Sequence, residues 1–262
     1  MALRELLRRV ADGSLSVEEA ERLLKMLAVE EVAGILKLDV GREVRRSVPE
    51  IILGEYKSAD QLELAIKGLL EARGRAIASR LREDQLEVVK KFERDYYVSL
   101  SASRRVAVIK RRDYKTPKHS GRVGVVAAGT SDLPIADEVR LLVEELGCDA
   151  LVIHDVGIAG LHRTLDAAKR LLEADVDVVV AIAGMEGALP SVLASVLDVP
   201  VIGLPTSFGY GLGGGGVAAL LSMLQSCSPG LVVVNIDNSV GAAVAAALMA
   251  SRVAKFRGST SR

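Results

Sequence analysis

The chain has 262 residues, half of them hydrophobic, and its 34 basic and 34 acidic side chains give a formal net charge of zero. This balance argues against nucleic acid or an anionic membrane as a partner, and 3% aromatic residues with no Trp argue against a base-stacking surface. Two cysteines, Cys148 and Cys227, provide neither a disulfide framework nor a zinc site, so no metal site is predicted. The length suits one large domain or two modest ones.

The N-terminal residues form a charged helical pattern without the apolar core of a signal peptide. No stretch reaches the roughly 18 uninterrupted apolar residues of a membrane span. The apolar run Val240–Ala250 is shorter and Ala-rich, and it predicts a buried helix. Together these patterns predict a cytoplasmic protein.

The first part of the chain, residues 1–117, is predicted to be a mainly helical α+β domain. Ser16 with Glu19 and Ser58 with Gln61 have the spacing of capping boxes at helix starts. Strand-like fragments follow at Tyr96–Leu100 and Val106–Lys110, and the basic stretch Arg111–Arg122, punctuated by Pro and Gly, is predicted to be a linker.

Charged residues are concentrated between Leu38 and Ile66. Ordinary ion pairs on a solvated helical face are the favoured interpretation of this mixture. The alternative is a cationic surface that helps to hold a phosphate or carboxylate. The basic members are Arg42, Arg45, Arg46 and Lys57, and the acidic ones Asp39, Glu43 and Glu50.

Residues 118–262 have a different pattern, in which short apolar runs alternate with helical periodicity. Five such units predict an α/β domain with a doubly wound parallel sheet, and fully apolar strands indicate burial on both faces. The predicted strands are Val123–Ala127, Leu151–His154, Val176–Ala183, Val201–Leu204 and Leu231–Ile236. The predicted helices lie near 134–146, 160–174, 187–198, 214–226 and 239–253.

The loops after these strands are expected to hold the functional site, because ligands of open α/β sheets bind at the carboxyl ends of the strands. The first loop contains Gly129, Thr130, Ser131 and Asp132, which suit an anion pocket at a helix start, although a plain N-cap explains Ser131 and Asp132 equally well. It matches neither a dinucleotide fingerprint nor a Walker loop.

Three further side chains are candidates for proton transfer. His154 and His162 follow the second strand, and either could instead be a structural histidine. Glu186 lies among small residues after the third strand, where desolvation would raise its pKa and make it a useful base, or where it simply caps the next helix.

A run of four glycines, Gly213–Gly216, opens the segment of the fourth predicted helix and allows backbone to approach a ligand or another chain closely. Cys227 follows that helix, just before Pro229 and Gly230. From spacing alone a buried packing cysteine is the favoured interpretation, because free Cys is among the most buried residue types.

The loop motifs together resemble the aminoimidazole ribonucleotide (AIR) carboxylase family, the PurE class, whose fold is a doubly wound sheet of flavodoxin-like order. The chain departs from that pattern at Ala188, where the family has a histidine, and at Cys227, which is additional. The matching segments are GTSD at 129–132, LHRT at 161–164, AGMEGALP at 183–190, VPVIGLPTS at 199–207 and LLSMLQSCSPG at 220–230.

Over nearly its whole length the chain resembles the LarB family of pyridinium-3,5-biscarboxylic acid mononucleotide synthases. The resemblance includes the glycine run, the SMLQSCSPG segment and the later VVNIDN segment. In the N-terminal part it rests on Asp39, Arg42, Arg45, Pro49, Glu50, Gly54, Lys57 and Gln61.

This resemblance implies that CO2 or bicarbonate carboxylates the nicotinate ring of nicotinic acid adenine dinucleotide at carbon 5, with phosphoanhydride cleavage and release of AMP. No tightly bound cofactor is implied, and Mg²⁺ is a candidate assisting ion. Cys227 would be the nucleophile, Glu186 the base and His162 a proton-transfer group. The implied substrate-binding residues are Gly129, Thr130, Ser131, Asp132, Arg163, Gly184, Met185, Gly187, Thr206 and Ser207.

Cys227 is predicted to follow a helix and to precede its strand, on the side opposite the other candidate loops. We therefore expect a homo-oligomer with active sites shared between subunits, since PurE-like folds form oligomers, commonly octamers. Two alternatives are a true AIR carboxylase or mutase of purine biosynthesis and a ligand sensor on the same scaffold. A sensor would keep the loop at 129–132 but would not need Cys227.

Overall fold

The computed structural model describes residues 3–27, 30–32, 36–39 and 42–257. The chain divides into two compact units. The first comprises Met1–Leu100 and Arg104–Tyr114, and the second comprises Ser101–Ser103 and Lys115–Arg262.

The first unit combines helices with a small mixed sheet, as predicted for an α+β domain. Its elements are α1 (Leu3–Ala11), α2 (Val17–Leu27), β1 (Glu30–Val32), β2 (Leu36–Leu38), α3 (Arg42–Arg46), β3 (Ile51–Leu53), α4 (Ala59–Arg73), β4 (Arg75–Ser79), α5 (Leu86–Lys91), β5 (Tyr97–Leu100) and β6 (Ala107–Lys110). The strands β1 and β2 form an antiparallel pair, and a four-stranded sheet has the order β3-β4-β6-β5.

Helix α4 forms the core of this unit with the four-stranded sheet. The Gln61 backbone amide donates to the Ser58 hydroxyl, and the Ser58 backbone amide donates to the side-chain oxygen of Gln61, so the predicted capping box is present. Leu62 and Ile66 on α4 are fully buried in one cluster with Ile109 of the sheet. Local capping and the apolar stripe thus fix the start of the helix and its buried face.

The charged stretch Leu38–Ile66 contains residues that form ion pairs within this unit. Arg42 contacts Glu50 at 3.4 Å, and the buried Arg75 guanidinium contacts Glu43 at 2.7 Å. Burial raises the pKa of Glu50, with Arg42 acting in the opposite direction. These contacts fit the ion-pair interpretation of the charged stretch; the side chain of Arg45 lies outside the described residues.

The second unit is a doubly wound α/β domain. Its elements are β7 (Arg122–Ala127), α6 (Leu133–Glu145), β8 (Asp149–Ile153), α7 (Leu161–Glu173), β9 (Val178–Ala183), α8 (Leu189–Val196), β10 (Val201–Pro205), α9 (Val217–Leu224), β11 (Leu231–Val233) and α10 (Ser239–Arg257). All strand pairs of its five-stranded sheet are parallel. The order β8-β7-β9-β10-β11 confirms the predicted flavodoxin-like arrangement.

Burial on both faces explains why β9 and β10 contain no polar or charged side chain. Every residue of β9 and β10 is buried. Helices α6 and α10 pack together on one face, while α7, α8 and α9 share a core cluster with the sheet on the other. Ladder hydrogen bonds satisfy the strand backbones, so continuous apolar side chains can fill both layers.

Among the elements that are shorter than predicted, α9 and β11 have a conformational explanation. Helix α9 begins at Val217 because Gly216 has a φ of 83° and cannot continue a right-handed helix. Strand β11 ends at Val233, and the chain then turns so that the Asp237 amide donates to the Pro205 carbonyl.

Helix α10 contains the apolar run that predicted a buried helix. It is the one helix in the described part of the chain whose length and composition would suit a membrane span, a test that core helices also pass. Its small residues Ala242, Ala243 and Ala246 are fully buried, and the helix packs against α6 and the sheet. One face of α10 is therefore buried against the rest of the second unit, rather than the whole apolar run.

Candidate active site

A cleft of about 200 Å³ opens at the carboxyl ends of β7 and β9. These two strands are neighbours at the point where the strand order reverses, which is the position that open α/β sheets use for ligands. The residues that line the cleft are Ala128, Gly129, Ser131, Asp132, Gly157, Ile158, Ala159, Ala183, Gly184, Met185, Glu186, Ala188, Leu189 and Phe208. Six of the predicted site residues are therefore brought together here.

Asp132 is the buried anchor of the cleft. One carboxylate oxygen accepts the Gly129 amide at 3.0 Å, and the other accepts the Thr206 hydroxyl at 2.7 Å. Burial raises the pKa of Asp132 and the nearby Asp237 adds to the rise, while the bonds from Thr206 and Gly129 lower it. Asp132 thus closes the turn before α6 and ties it to the loop after β10, in addition to lining the cleft.

The loop after β9 has almost no free space around its backbone. A Cβ atom on Gly184 would lie 2.0 Å from the Phe208 carbonyl oxygen and 2.9 Å from the Thr206 hydroxyl. Met185 has a φ of 46°, and the Gly187 amide donates to the Gly184 carbonyl at 2.8 Å. The loop is a tight turn that holds the exposed Glu186 side chain at the cleft.

The loop after β10 is hydrogen-bonded to the end of β9 and to the segment after β11. The Thr206 amide donates to the Ala183 carbonyl at 3.1 Å, and the Ser207 amide donates to the Asp237 carboxylate at 2.9 Å. Thr206 and Ser207 therefore support the cleft from behind. Sequence reasoning did not single out Asp237 or Phe208; an Asp in a short polar segment directly after a strand was the available clue for Asp237.

The predicted residues around α7 lie beside the cleft. Gly157, Ile158 and Ala159 line it, whereas His162 and Arg163, in the first turn of α7, are not among its lining residues. Arg163 makes a 2.6 Å ion pair with Asp155. His154 and His162 are both exposed, as is Thr130 in the turn before α6.

Cys227 lies far along the chain from the cleft loops, between α9 and β11, and it is exposed. The structure thus overturns the interpretation of Cys227 as a buried packing residue: Pro229 and Gly230 place this segment in a turn at the surface. Cys148, in contrast, is fully buried with its sulfur 3.4 Å from the Ser251 hydroxyl, and burial raises the pKa of its thiol.

The cleft lining is acidic and rich in small residues. Asp132 and Glu186 are its charged members, and none of its fourteen described lining residues is Lys, Arg or His. Half of the fourteen are Gly or Ala, including Ala188. Such a cleft offers electrostatic attraction to a cation and room for a flat group.

Comparisons with known proteins give two family matches. Residues 122–259 match the model described as AIR carboxylase, and residues 29–111 match the model described as LarB/PurE-like N-terminal domain. The chain is also similar to an uncharacterized protein of Methanocaldococcus jannaschii, with 43% identity over 95% of this chain and 96% of that protein.

Two named enzymes are similar to about half of the chain. The N5-carboxyaminoimidazole ribonucleotide mutase of Thermotoga maritima is 33% identical over 48% of this chain and 72% of its own length. The corresponding mutase of Pyrococcus horikoshii is 35% identical over 47% of this chain and 69% of its own.

Proposed function

Because the chain belongs to the AIR carboxylase family and carries a LarB/PurE-like N-terminal domain, we propose that it carboxylates the pyridinium ring of nicotinic acid adenine dinucleotide. The reaction places a carboxylate on carbon 5, and water cleaves the phosphoanhydride. The products are pyridinium-3,5-biscarboxylic acid mononucleotide and AMP, and this is the first step of nickel-pincer cofactor biosynthesis. The co-substrate is CO2 or bicarbonate, with no tightly bound cofactor.

The composition of the cleft is the observation that carries this proposal. Its charged lining side chains are the carboxylates Asp132 and Glu186, which suit a positively charged ring. Ala188 occupies the position at which the AIR carboxylase pattern has a histidine. Both features favour a pyridinium substrate over aminoimidazole ribonucleotide.

The exposed thiol supplies the chemistry that a pyridinium ring requires. Such a ring is too electron-poor to attack CO2, so the Cys227 thiolate first adds to a ring carbon and gives a neutral dihydropyridine. Carbon 5 of this adduct then forms a bond to CO2. A base removes the proton from carbon 5, and the electron pair of that C–H bond returns to the ring. The carbon–sulfur bond then breaks, its electrons leave on the thiolate, and the aromatic pyridinium is restored. No net oxidation or reduction occurs.

The other candidate residues take supporting roles in this proposal. Glu186, exposed at the cleft, is the base for the carbon 5 proton. The backbone amides of 129–131 and Arg163 bind the phosphates of the dinucleotide, which extends beyond the cleft towards His162. Binding would then exchange the ion pair of Arg163 with Asp155 for one with phosphate.

We place Cys227 in the active site of a neighbouring subunit. In its own chain the thiol precedes β11, whereas the cleft lies at the opposite, carboxyl ends of the strands. Helix α9, next to the thiol, exposes Val217, Leu221 and Leu224 at helical spacing, which forms an apolar stripe. A stripe of this kind suits a subunit contact, and octamers are the expected assembly.

The first experiment is mass spectrometry after the purified protein is mixed with nicotinic acid adenine dinucleotide and isotope-labelled bicarbonate. A labelled biscarboxylate mononucleotide together with AMP is the expected result. Parallel reactions with EDTA or added Mg²⁺ determine whether an ion assists the phosphoanhydride cleavage.

The mutase relatives give a specific alternative, an AIR carboxylase or mutase of purine biosynthesis. Aminoimidazole ribonucleotide is therefore the second substrate in the same assay. Turnover of that compound, with no product from the dinucleotide, would replace the present proposal and remove the role of Cys227.

A mixing experiment tests the shared site. Cys227→Ser and Glu186→Gln are each expected to be inactive alone, because each removes one catalytic group. Subunits exchanged at equal ratio should regain about a quarter of wild-type activity, since that fraction of sites combines an intact thiol with an intact carboxylate. Mixtures that stay inactive after verified subunit exchange would place both groups on one chain.

A further inference from the structure

Phe208 is an aromatic side chain in an unusual position for this protein. The chain has only three Phe and five Tyr residues and no Trp. Phe92 is buried in the core of the first unit, whereas Phe208 lines the cleft with 43% of its surface exposed. A large apolar side chain left open in a cleft is a candidate for ligand contact.

We propose that the ring of Phe208 receives the face of the cationic pyridinium and so selects a positively charged aromatic ring over a neutral one. This inference rests on the proposed function and adds a specificity-determining residue to it. The face of an aromatic ring carries partial negative charge, which attracts a cation stacked on it.

The backbone around Phe208 is fixed before any substrate arrives. Its carbonyl accepts the Met185 amide at 3.4 Å and lies where a side chain on Gly184 would clash. The preceding residue, Ser207, is bonded to Asp237. A ring carried on such a junction needs little reordering when it binds a ligand, so more of the contact energy is retained as affinity.

The remaining lining of the cleft suits the same ligand. Small residues such as Ala159, Ala183 and Ala188 leave space for a flat ring. Asp132 and Glu186 add carboxylates to the negative face of Phe208. A neutral dihydropyridine would lose both attractions, because its ring carries no positive charge.

We expect the substitution of Phe208 to weaken substrate binding and not to slow turnover. The cation is present in the ground state and is neutralised when the thiolate adds, so Phe208 stabilises the bound substrate more than the adduct. Replacing Phe208 with Leu keeps an apolar side chain but removes the π face. We expect KM for the dinucleotide to rise about tenfold with no fall in kcat, and Phe208→Tyr to restore the wild-type KM.

A fluorescence experiment reports the ring contact directly. Because the protein has no Trp, Phe208→Trp introduces a single indole whose emission a stacked pyridinium should quench in a saturable manner. The matched control is Tyr210→Trp, two residues away at a position that is 82% exposed and does not line the cleft. The control should show only weak, linear collisional quenching, and the reduced dihydropyridine dinucleotide should bind the wild-type protein more weakly.

The outcomes separate the two proposals. If wild-type protein turns over the pyridinium substrate and Phe208→Leu binds it equally well, the role of Phe208 is wrong and the proposed function stands. Equal quenching at positions 208 and 210 would lead to the same conclusion. If wild-type protein neither binds nor converts the dinucleotide, both proposals fail together.

Discussion

The two ends of the parallel sheet differ in how tightly their loops are held and in the side chains that they expose. At the carboxyl ends of the strands, hydrogen bonds from Gly129 and Thr206 to Asp132 tie the loops together around a small acidic cleft. At the opposite end, Cys227 lies exposed in a turn. Helix α9 connects them: Gly216, just before it, approaches the Thr206 carbonyl, and Cys227 follows its last turn. In the proposed function the carboxyl end binds the substrate, and the opposite end presents the Cys227 thiol to a neighbouring subunit.

The largest expected effect comes from the exposed end. Cys227→Ser should lower the rate of carboxylation by at least about a thousandfold, because the hydroxyl is a poorer nucleophile and leaving group than the thiol. The substitution is at the surface, so the melting temperature should stay unchanged. Product formation measured by mass spectrometry provides the test, and retained activity would restrict Cys227 to a structural role.

The corresponding change at Cys148 is the control for thiol chemistry. Cys148→Ala removes a buried side chain and is expected to lower stability without abolishing carboxylation. A loss of activity at temperatures where this variant remains folded would contradict the assignment of the two cysteines.

A second change tests whether Cys227 of one subunit reaches the cleft of a neighbouring subunit through a contact at α9. Leu221 is 56% exposed in the middle of the apolar stripe on α9. Leu221→Glu should lower the assembly mass in light scattering and reduce activity about tenfold or more, as loss of a central interface residue commonly costs about 2 kcal/mol. Leu172→Glu, at a similarly exposed position on α7, is the comparison. A monomeric wild-type protein would exclude the shared site.

A third change tests the tight packing of the cleft end. Gly187 has a φ of 62°, and a Cβ atom there would lie 2.7 Å from the Ala219 carbonyl oxygen. Gly215 has a φ of 68° with no atom within 4 Å of such a Cβ. Both Ala variants strain the backbone, but Gly187→Ala should cost about 1–3 kcal/mol more in unfolding free energy because of the clash. If urea denaturation gives the same loss of unfolding free energy for Gly187→Ala and Gly215→Ala, the loop at Gly187 can move enough to relieve the clash.

The smallest effect depends on pH. The Thr206 hydroxyl stabilises the ionised carboxylate of Asp132, so Thr206→Val should raise the pKa of Asp132 further. Its cost, about 1–2 kcal/mol where Asp132 is ionised, should therefore shrink as the pH falls through the pKa of Asp132. Urea denaturation across a pH series measures this, and Thr206→Ser, which keeps the hydroxyl, should behave like wild type. A cost that does not vary with pH would contradict the coupling.

The sequence predicted most of the second unit because its information is local. Fully apolar strands and helical periodicity were sufficient to place five strand–helix units, and Ser58 with Gln61 located the start of α4. The contact of Asp132 with Thr206 joins residues that lie in loops after two different strands, and the chain order contains no pattern for it. The exposure of Cys227 depends on whether segments distant in the sequence pack over its turn, and a local pattern does not reveal this. Phe208 was overlooked because one Phe beside glycines resembles any loop residue.

The parallel arrangement of the sheet also has a consequence for how the domain forms. Its central strand β7 pairs with β8 and β9, and Val123 finds its partner Val178 only after two complete helices have been crossed. No hairpin can nucleate this sheet, so loop-closure entropy must be overcome before any strand pairing stabilises the chain. During synthesis the apolar β7 must therefore wait unpaired, and we expect folding of this unit to be slow and sensitive to temperature and chaperones.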